Sequence, residues 1–239
     1  MIKQGRRLLT FAFCLLPFAF SECGRDTIPA SPRVRNLLLI TIDTLRADRV
    51  GAYGWSRART PALDRLAAEG VVFDRAYAAA PITLPSHATI LTGRYPPGHG
   101  SRDNGMRMST APATIATELH ARGFATAAFV AAFPLDHQFG LDRGFDVYGD
   151  RLGHEPDGRP ANERSASQVV DEAIAWLHST AGPGLPASPA QPALPAHRPF
   201  FLWVHFFEPH APYAGDRSRL AVDRYDDEVA TADAAVGRV

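Results

Sequence analysis

The amino-acid sequence predicts an α/β protein: a doubly wound, mostly parallel sheet with helices on both faces. Two observations lead there. Continuous apolar, β-branched runs such as NLLLITI at 36–42 lack the alternation of a half-exposed strand and read as strands buried on both faces. Helical patterns separate these runs, and strands that alternate with helices pair in parallel because each crossover has room for a helix.

Taken in order, the strand from Asn36 to Ile42 closes at Asp43. Thr60-Pro61 opens a helix, with Thr60 as N-cap and Pro61 at the first helical position; Leu63, Leu66 and Ala67 form its apolar face and Gly70 ends it. VVFDRAY, from Val71 to Tyr77, predicts a short strand. Pro85 to Leu91 reads as a short helix stopped by Gly93, and Ala113 to Arg122 as another, with Ile115 and Leu119 one turn apart and Gly123 as its stop. FATAAFV (Phe124 to Val130) is the next buried strand. Asn162 to Thr180 is helical, carrying Val169, Val170, Ala173, Ile174 and Leu177. Residues 181–199 hold six prolines among Ala, Gly and Ser, which excludes helix and interior strand and marks a surface insertion. PFFLWVHFF (Pro199 to Phe207) returns to the sheet, and Asp223 to Val239 forms a last helix with Val229, Ala232 and Val236 on one side.

Composition narrows the class of protein. With 46% apolar and 21% charged residues over 239 positions, the chain is globular rather than collagen-like, coiled-coil or disordered. Lys plus Arg and Asp plus Glu both number 25, so no general attraction to nucleic acid or anionic lipid is implied. Lys3 is the single lysine, which excludes any mechanism needing a lysine in the folded domain. At the N-terminus, Lys3, Arg6 and Arg7 precede the apolar run Leu8 to Phe20, the layout of an export signal. Residues 1–23 are therefore expected to be a signal peptide or lipoprotein signal, 24–34 a linker, and 35–239 the α/β domain. Export to the periplasm or the cell exterior follows, and Cys23 is the candidate for lipid attachment. With Cys14 as the other cysteine, the domain itself has no disulfide framework.

Ligands of open parallel sheets bind beyond the carboxyl ends of the strands, so polar residues there come first. Asp43 is either a metal ligand or a strand-end turn former. His205 lies within its strand and reads as a satisfied core histidine. His210, between Pro209 and Pro212, sits in a rigid loop suited to contacting an anion. Thr83-Leu84-Pro85-Ser86-His87 enters a helix, where a hydroxyl near free N–H groups can attack a tetrahedral anion, or where Thr83 or Ser86 simply caps the helix.

Together these segments resemble the sulfatase family of the alkaline phosphatase superfamily. The resemblance rests on NLLLITIDTLRADRVGAYG at 36–54, TPALDRLAAEGVVFDRAYA at 60–78, TLPSHATILTGRYPPGHG at 83–100, and then TIATELHARGFATAAF, FGLDRGFDVY and FFLWVHFFEPHAPY in the family's order. It implies an exported hydrolase that cleaves a sulfate ester or related anionic ester on a small molecule or glycan. It also implies a divalent cation, calcium first, with Asp43 and Thr83 as ligands, Thr83, His87 and His210 as catalytic residues, and His210 and Arg46 as substrate contacts. Thr83 stands where the family places the Cys or Ser that becomes formylglycine, and His87 where it places Arg. Thr44 stands where it commonly has a second aspartate, and its substrate-contacting lysine has no counterpart. A threonine is not expected to give the aldehyde, so the resemblance also admits an unmodified Thr nucleophile, as in phosphodiesterases or phosphoethanolamine-type transferases of the superfamily. The chain matches the N-terminal part of the family's domain. It stops before a segment with Asp-His-Gly that supplies further metal ligands, and a truncated, non-catalytic product is the third expectation.

Overall fold

The computed structural model describes residues 36–154, 161–181 and 198–239. The segments expected to be an export signal and a linker, and most of the proline-rich insertion, lie outside the described residues. Four strands, β1 (Leu37–Ile42), β2 (Ala125–Phe129), β3 (Val147–Gly149) and β4 (Phe200–Phe206), form one sheet in the order β1-β4-β2-β3, every pair parallel. Six helices accompany them among the described residues: α1 (Pro61–Glu69), α2 (Thr83–Thr92), α3 (Pro96–His99), α4 (Ile115–Ala121), α5 (Ala166–Ala181) and α6 (Ala221–Val236).

The double winding follows from the strand period of two. On β4, Phe201 and Trp203 face one side and pack with Leu84, Ala88 and Leu91 of α2 and Ala116 of α4. Leu202, Val204 and Phe206 face the other side and pack with Val169, Val170 and Ala173 of α5 and Ala235 and Val236 of α6, with Leu63 of α1 against them. Complete burial of Phe201, Leu202, Val204 and Phe206 stabilises by roughly 1.5–3 kcal/mol per side chain. The central position of β4 explains its unbroken apolar run. Among the described residues β1 lies at the edge of the sheet, with Leu38 exposed on it.

Several local expectations change. Val71 to Tyr77 forms no strand: Val71, Phe73 and Tyr77 are exposed and the segment is turns and irregular chain. Its β-branched and aromatic composition suits a strand, but nothing among the described residues pairs with it, and a strand without a ladder leaves its backbone groups to water. Thr60 precedes α1 as expected, yet its side chain does not cap the helix. Its Oγ1 accepts from the Gly51 N–H at 3.0 Å and donates to Asp64. Asp233 of α6, 2% exposed, takes the capping role, accepting from the N–H groups of Ala62 at 3.1 Å and Leu63 at 2.8 Å. Thr114 does cap α4, in a reciprocal box with Thr117.

A buried carboxylate that satisfies two N–H groups of a neighbouring helix is a tertiary cap, so Asp233→Ala should lower the unfolding free energy by about 2–4 kcal/mol. Asp233→Asn, which keeps an acceptor oxygen, should lower it by less. Chemical denaturation of the three proteins checks both the loss and its order.

Candidate active site

The ladder between β1 and β4 runs from Leu37 opposite Phe201 to Ile42 opposite Phe206, and the Asp43 N–H adds one more bond to the Phe206 carbonyl at 3.0 Å. Both strands end there, and their exits form the site. Thr44 turns away with φ of 51°, a left-handed conformation that costs a β-branched residue of the order of 1–3 kcal/mol. Three hydrogen bonds secure the turn. Thr44 Oγ1 donates to the Pro209 carbonyl at 2.8 Å, the Tyr225 hydroxyl donates to the Thr44 carbonyl at 2.9 Å, and the Arg46 N–H donates to that hydroxyl at 2.8 Å.

Asp43, with 12% of its side chain exposed, aims its carboxylate at the start of α2. Thr83 is the first residue of that helix, and its Oγ1 donates to Asp43 Oδ2 at 3.0 Å. Thr83 therefore does not cap α2, whose N-cap residue is Ile82. Three of the next backbone positions are already committed: the Leu84 N–H donates to Asn104 Oδ1 at 2.9 Å, Pro85 has no N–H, and the Ser86 N–H closes onto the Ile82 carbonyl. Anion binding by the N–H groups of this helix is correspondingly reduced.

One turn on, His87 is buried beside Asp43 and Thr83. Its Nδ1 lies 2.7 Å from the Thr83 carbonyl. A carbonyl only accepts, so Nδ1 carries the proton and Nε2 presents a lone pair. His205, fully buried in β4, has the opposite tautomer: its Nδ1 accepts from the Ala131 N–H at 3.4 Å, so Nε2 carries the proton. His205 Nε2 is 3.9 Å from Asp43 Oδ2, too far for a hydrogen bond. The two rings meet edge to face with centroids 4.9 Å apart, and the Nε2 atom of each is buried without a partner. Burial lowers the basicity of both imidazoles: desolvation dominates at His87 over the raising effect of the Thr83 carbonyl and Asp43, and the neighbouring His87 lowers His205 further. Both rings are neutral at pH 7. His205 is thus a half-satisfied histidine beside the strand-end carboxylate rather than a satisfied core residue.

His210 stacks on Phe207 with centroids 4.2 Å apart and donates from Nδ1 to the Ala211 carbonyl at 2.6 Å, which leaves Nε2 as its free edge. Arg46 is turned outward in an exposed pair with Asp48 at 2.6 Å.

The donor set at Asp43 fits a hard divalent cation in kind: a carboxylate with a hydroxyl 3.0 Å away. Elsewhere, Asp136, His137 and Asp150 bring one ligand atom each within 4.8 Å of one another. There Asp150 accepts from both the N–H and the ring of His137, and Asp136 from the Gln138 N–H, bonds that account for the cluster structurally.

Sequence reasoning singled out Asp43, Thr83, His87 and His210 but not Asn104 or Tyr225. Both act from afar on the turn and the helix start, and neither carries a local signal.

Comparison with known proteins shows the family of the chain. Steryl-sulfatase of Mus musculus is 44% identical over 115 residues, 43% of this chain and 18% of that protein. N-acetylgalactosamine-6-sulfatase of Sus scrofa is 28% identical over 260 residues, covering 89% of this chain and 47% of that one. Among solved structures, a protein in complex with its substrate D-glucosamine-2-N,6-O-disulfate aligns with a TM-score of 0.60 and 25% identity over 76% of this chain and 36% of its own. The phosphonate monoester hydrolase of Agrobacterium radiobacter shares the fold, with a TM-score of 0.61 and 21% identity over 85% of this chain and 58% of its own. The chain thus spans about half the length, or less, of the relatives it matches. The sulfatase family model matches residues 35–239, the whole α/β unit that carries Asp43, Thr83 and His210, and the chain belongs to the sulfatase family.

Proposed function

We propose that this chain supplies the Asp43–Thr83 centre of an exported, metal-assisted hydrolase of sulfate or related anionic esters, with unmodified Thr83 as nucleophile. The observation that carries the reading is the hydrogen bond from Thr83 Oγ1 to Asp43 Oδ2 at 3.0 Å, flanked by two neutral histidines with unpartnered Nε2 atoms. Asp43 and Thr83 are the residues that would hold a divalent cation, calcium by the preference of oxygen donors, with water or substrate oxygens completing its shell. Such a cation polarises the ester and offsets its negative charge when bound.

The chain's own residues supply the remaining steps. Asp43 orients the Thr83 hydroxyl and receives its proton as Oγ attacks the central sulfur of the ester. The bond from sulfur to the alcohol oxygen breaks, and the alcohol leaves with a proton from His210 Nε2, the free edge of a ring whose Nδ1 is held on the Ala211 carbonyl. Water then gives a proton to His210 Nε2 and attacks the sulfur, the bond from sulfur to Oγ breaks, and Asp43 returns its proton to Thr83 Oγ, releasing hydrogen sulfate and restoring both residues. Export rests on the basic and apolar N-terminal segment, and Cys23 is the residue through which the protein would be lipid-anchored.

Phosphorus chemistry is the second reading. A hydroxyl at position 83 favours it, because Thr forms a stable phosphoester without conversion to an aldehyde; phosphodiester cleavage or transfer of a phosphate-containing group would use the same contact.

Turnover of aryl sulfate, phosphate diester and phosphonate ester substrates separates the readings. Thr83→Ala should lower turnover of whichever ester is cleaved by about a thousandfold or more, and accurate mass of the trapped intermediate should show a sulfo or phospho group on Thr83. Undiminished turnover in Thr83→Ala would contradict the nucleophile assignment.

The histidines predict a pH dependence of stability. Their folded-state pKa values are depressed, so between those values and the unfolded value near 6.5 the unfolded chain binds more protons. Stability is complete above pH 6.5 and falls as the solution is acidified below it, by up to about 1.4 kcal/mol per pH unit for each ring. Thermal melts from pH 8 to about pH 5 should show this decline, and His205→Gln should flatten it.

A further inference from the structure

The 207–214 loop that carries His210 leaves the sheet after Phe206 and runs without helix or strand, exposed at Ala211, Pro212 and Ala214. Even so, α6 holds it by both polar ends of a single peptide unit. Arg224 Nη1 donates to the Tyr213 carbonyl at 2.6 Å, and the Ala214 N–H donates to Glu228 Oε1 at 2.6 Å. That carbonyl and that N–H belong to one peptide bond, and Arg224 and Glu228, one turn apart, project from the same face of the helix. The backbone groups of an exposed loop are ordinarily left to water. Here a carboxyl group of a residue only 8% exposed takes the place of water, and burial raises its pKa. Glu208 adds to that rise, while the Ala214 N–H, Arg224 and His210 oppose it, so charges of both signs face Glu228 around the cavity it shares with Glu208 and His210.

The same helix holds the other half of the site. Tyr225 donates to the Thr44 carbonyl at 2.9 Å and accepts from the Arg46 N–H at 2.8 Å, and its ring meets that of Tyr213 edge to face with centroids 5.5 Å apart. α6 therefore sets the Asp43 turn and the His210 loop relative to each other, and Thr44 Oγ1 on the Pro209 carbonyl at 2.8 Å ties them a second time. Pro209 is held on one side of His210 and the Tyr213–Ala214 peptide on the other. Between these ties the His210 ring lies stacked on Phe207, with centroids 4.2 Å apart and Nε2 as its free edge.

We propose that Arg224 and Glu228 are positioning residues for His210: by gripping the Tyr213–Ala214 peptide they hold its Nε2 edge where the departing alcohol takes its proton. The inference deepens the ester-hydrolase reading and rests on it for the proton transfer; the hold on the ring does not. Both residues act through the loop.

Paired kinetics and NMR of the full chain test it. Protonation of the alcohol matters for an ester with a poor leaving group, an alkyl sulfate or alkyl phosphate diester, and little for its nitrophenyl counterpart, whose phenolate leaves unaided. In Glu228→Ala and Arg224→Ala the ratio of alkyl to nitrophenyl turnover should fall by roughly a hundredfold. Glu228→Gln keeps the acceptor oxygen and should hold the ratio within about threefold of that of the natural chain. A smaller folded fraction would lower both turnovers alike and leave the ratio unmoved. In NMR spectra the ring current of Phe207 should shift the His210 ring protons of the natural chain upfield, and both alanine variants should return them toward the unstacked position. An unchanged ratio in both alanine variants would overturn the positioning role, as would unshifted His210 ring protons in the natural chain, a measurement that needs no variant. A chain that cleaves neither ester but shows the upfield shift, lost in the alanine variants, would contradict the hydrolase reading and leave the hold on His210 standing.

Discussion

The parallel pairing of β1 with β4 is the interaction on which the site depends. Residues 164 apart in the chain, Leu37 and Phe201, start a ladder that the Asp43 N–H extends to the Phe206 carbonyl. Strands in register end in register, so the Asp43 turn and the 207–212 loop leave the sheet side by side. Their contact is then made by Thr44 Oγ1 on the Pro209 carbonyl. The helices respond to the same pairing: α2 packs Leu84, Ala88 and Leu91 over Phe201 and Trp203, which places Thr83 above the end of β1. Even the strained backbone of Thr44 is a consequence, because the chain must reverse at once to keep the Asp43 carboxylate over the strand ends.

Around that carboxylate the protein supplies little charge and much unmet hydrogen-bonding capacity. His87 and His205 are held neutral by burial, with complementary tautomers set by one carbonyl and one N–H. One offers a lone pair, the other a proton. Unpartnered polar atoms in a close-packed interior are costly, and a water or a ligand can complete their bonding. The same logic applies to Glu208 and Glu228 across the 207–214 loop, where the unmet groups are acceptors.

Much of this was legible in the sequence because the relevant signals are local. The apolar runs around β1, β2 and β4, the stop at Gly93 and the polar residues at strand ends each follow from the properties of a few neighbouring residues. The misreadings have the opposite character. VVFDRAY has strand composition, but composition cannot tell whether a partner exists. Thr60 has the right identity for a cap, and a carboxylate from α6, more than 170 positions later, took its place. His205 looked like a core residue, and it is one by burial; only the β1–β4 register shows that its unpartnered nitrogen is 3.9 Å from Asp43. Glu208 and Glu228 were silent for the same reason, since a half-satisfied carboxyl is a property of packing.

The charge at the reaction centre constrains the kind of ester it suits. His87 occupies the position where the resemblance places an always-charged arginine, and its ring is neutral. No lysine lies among the described residues to add a second positive group. Arg46, the nearest arginine in sequence to Asp43, is engaged with Asp48 in solvent. Among the described side chains that meet at Asp43, the two histidines are neutral and add no positive charge. Sulfate monoesters, phosphate diesters and phosphonate monoesters carry one charge at neutral pH, whereas phosphate monoesters approach two. On the proposed reading, a buried, neutral histidine at position 87 gives a doubly charged ester less stabilisation than a fixed arginine would, so the centre suits singly charged tetrahedral esters of sulfur or phosphorus.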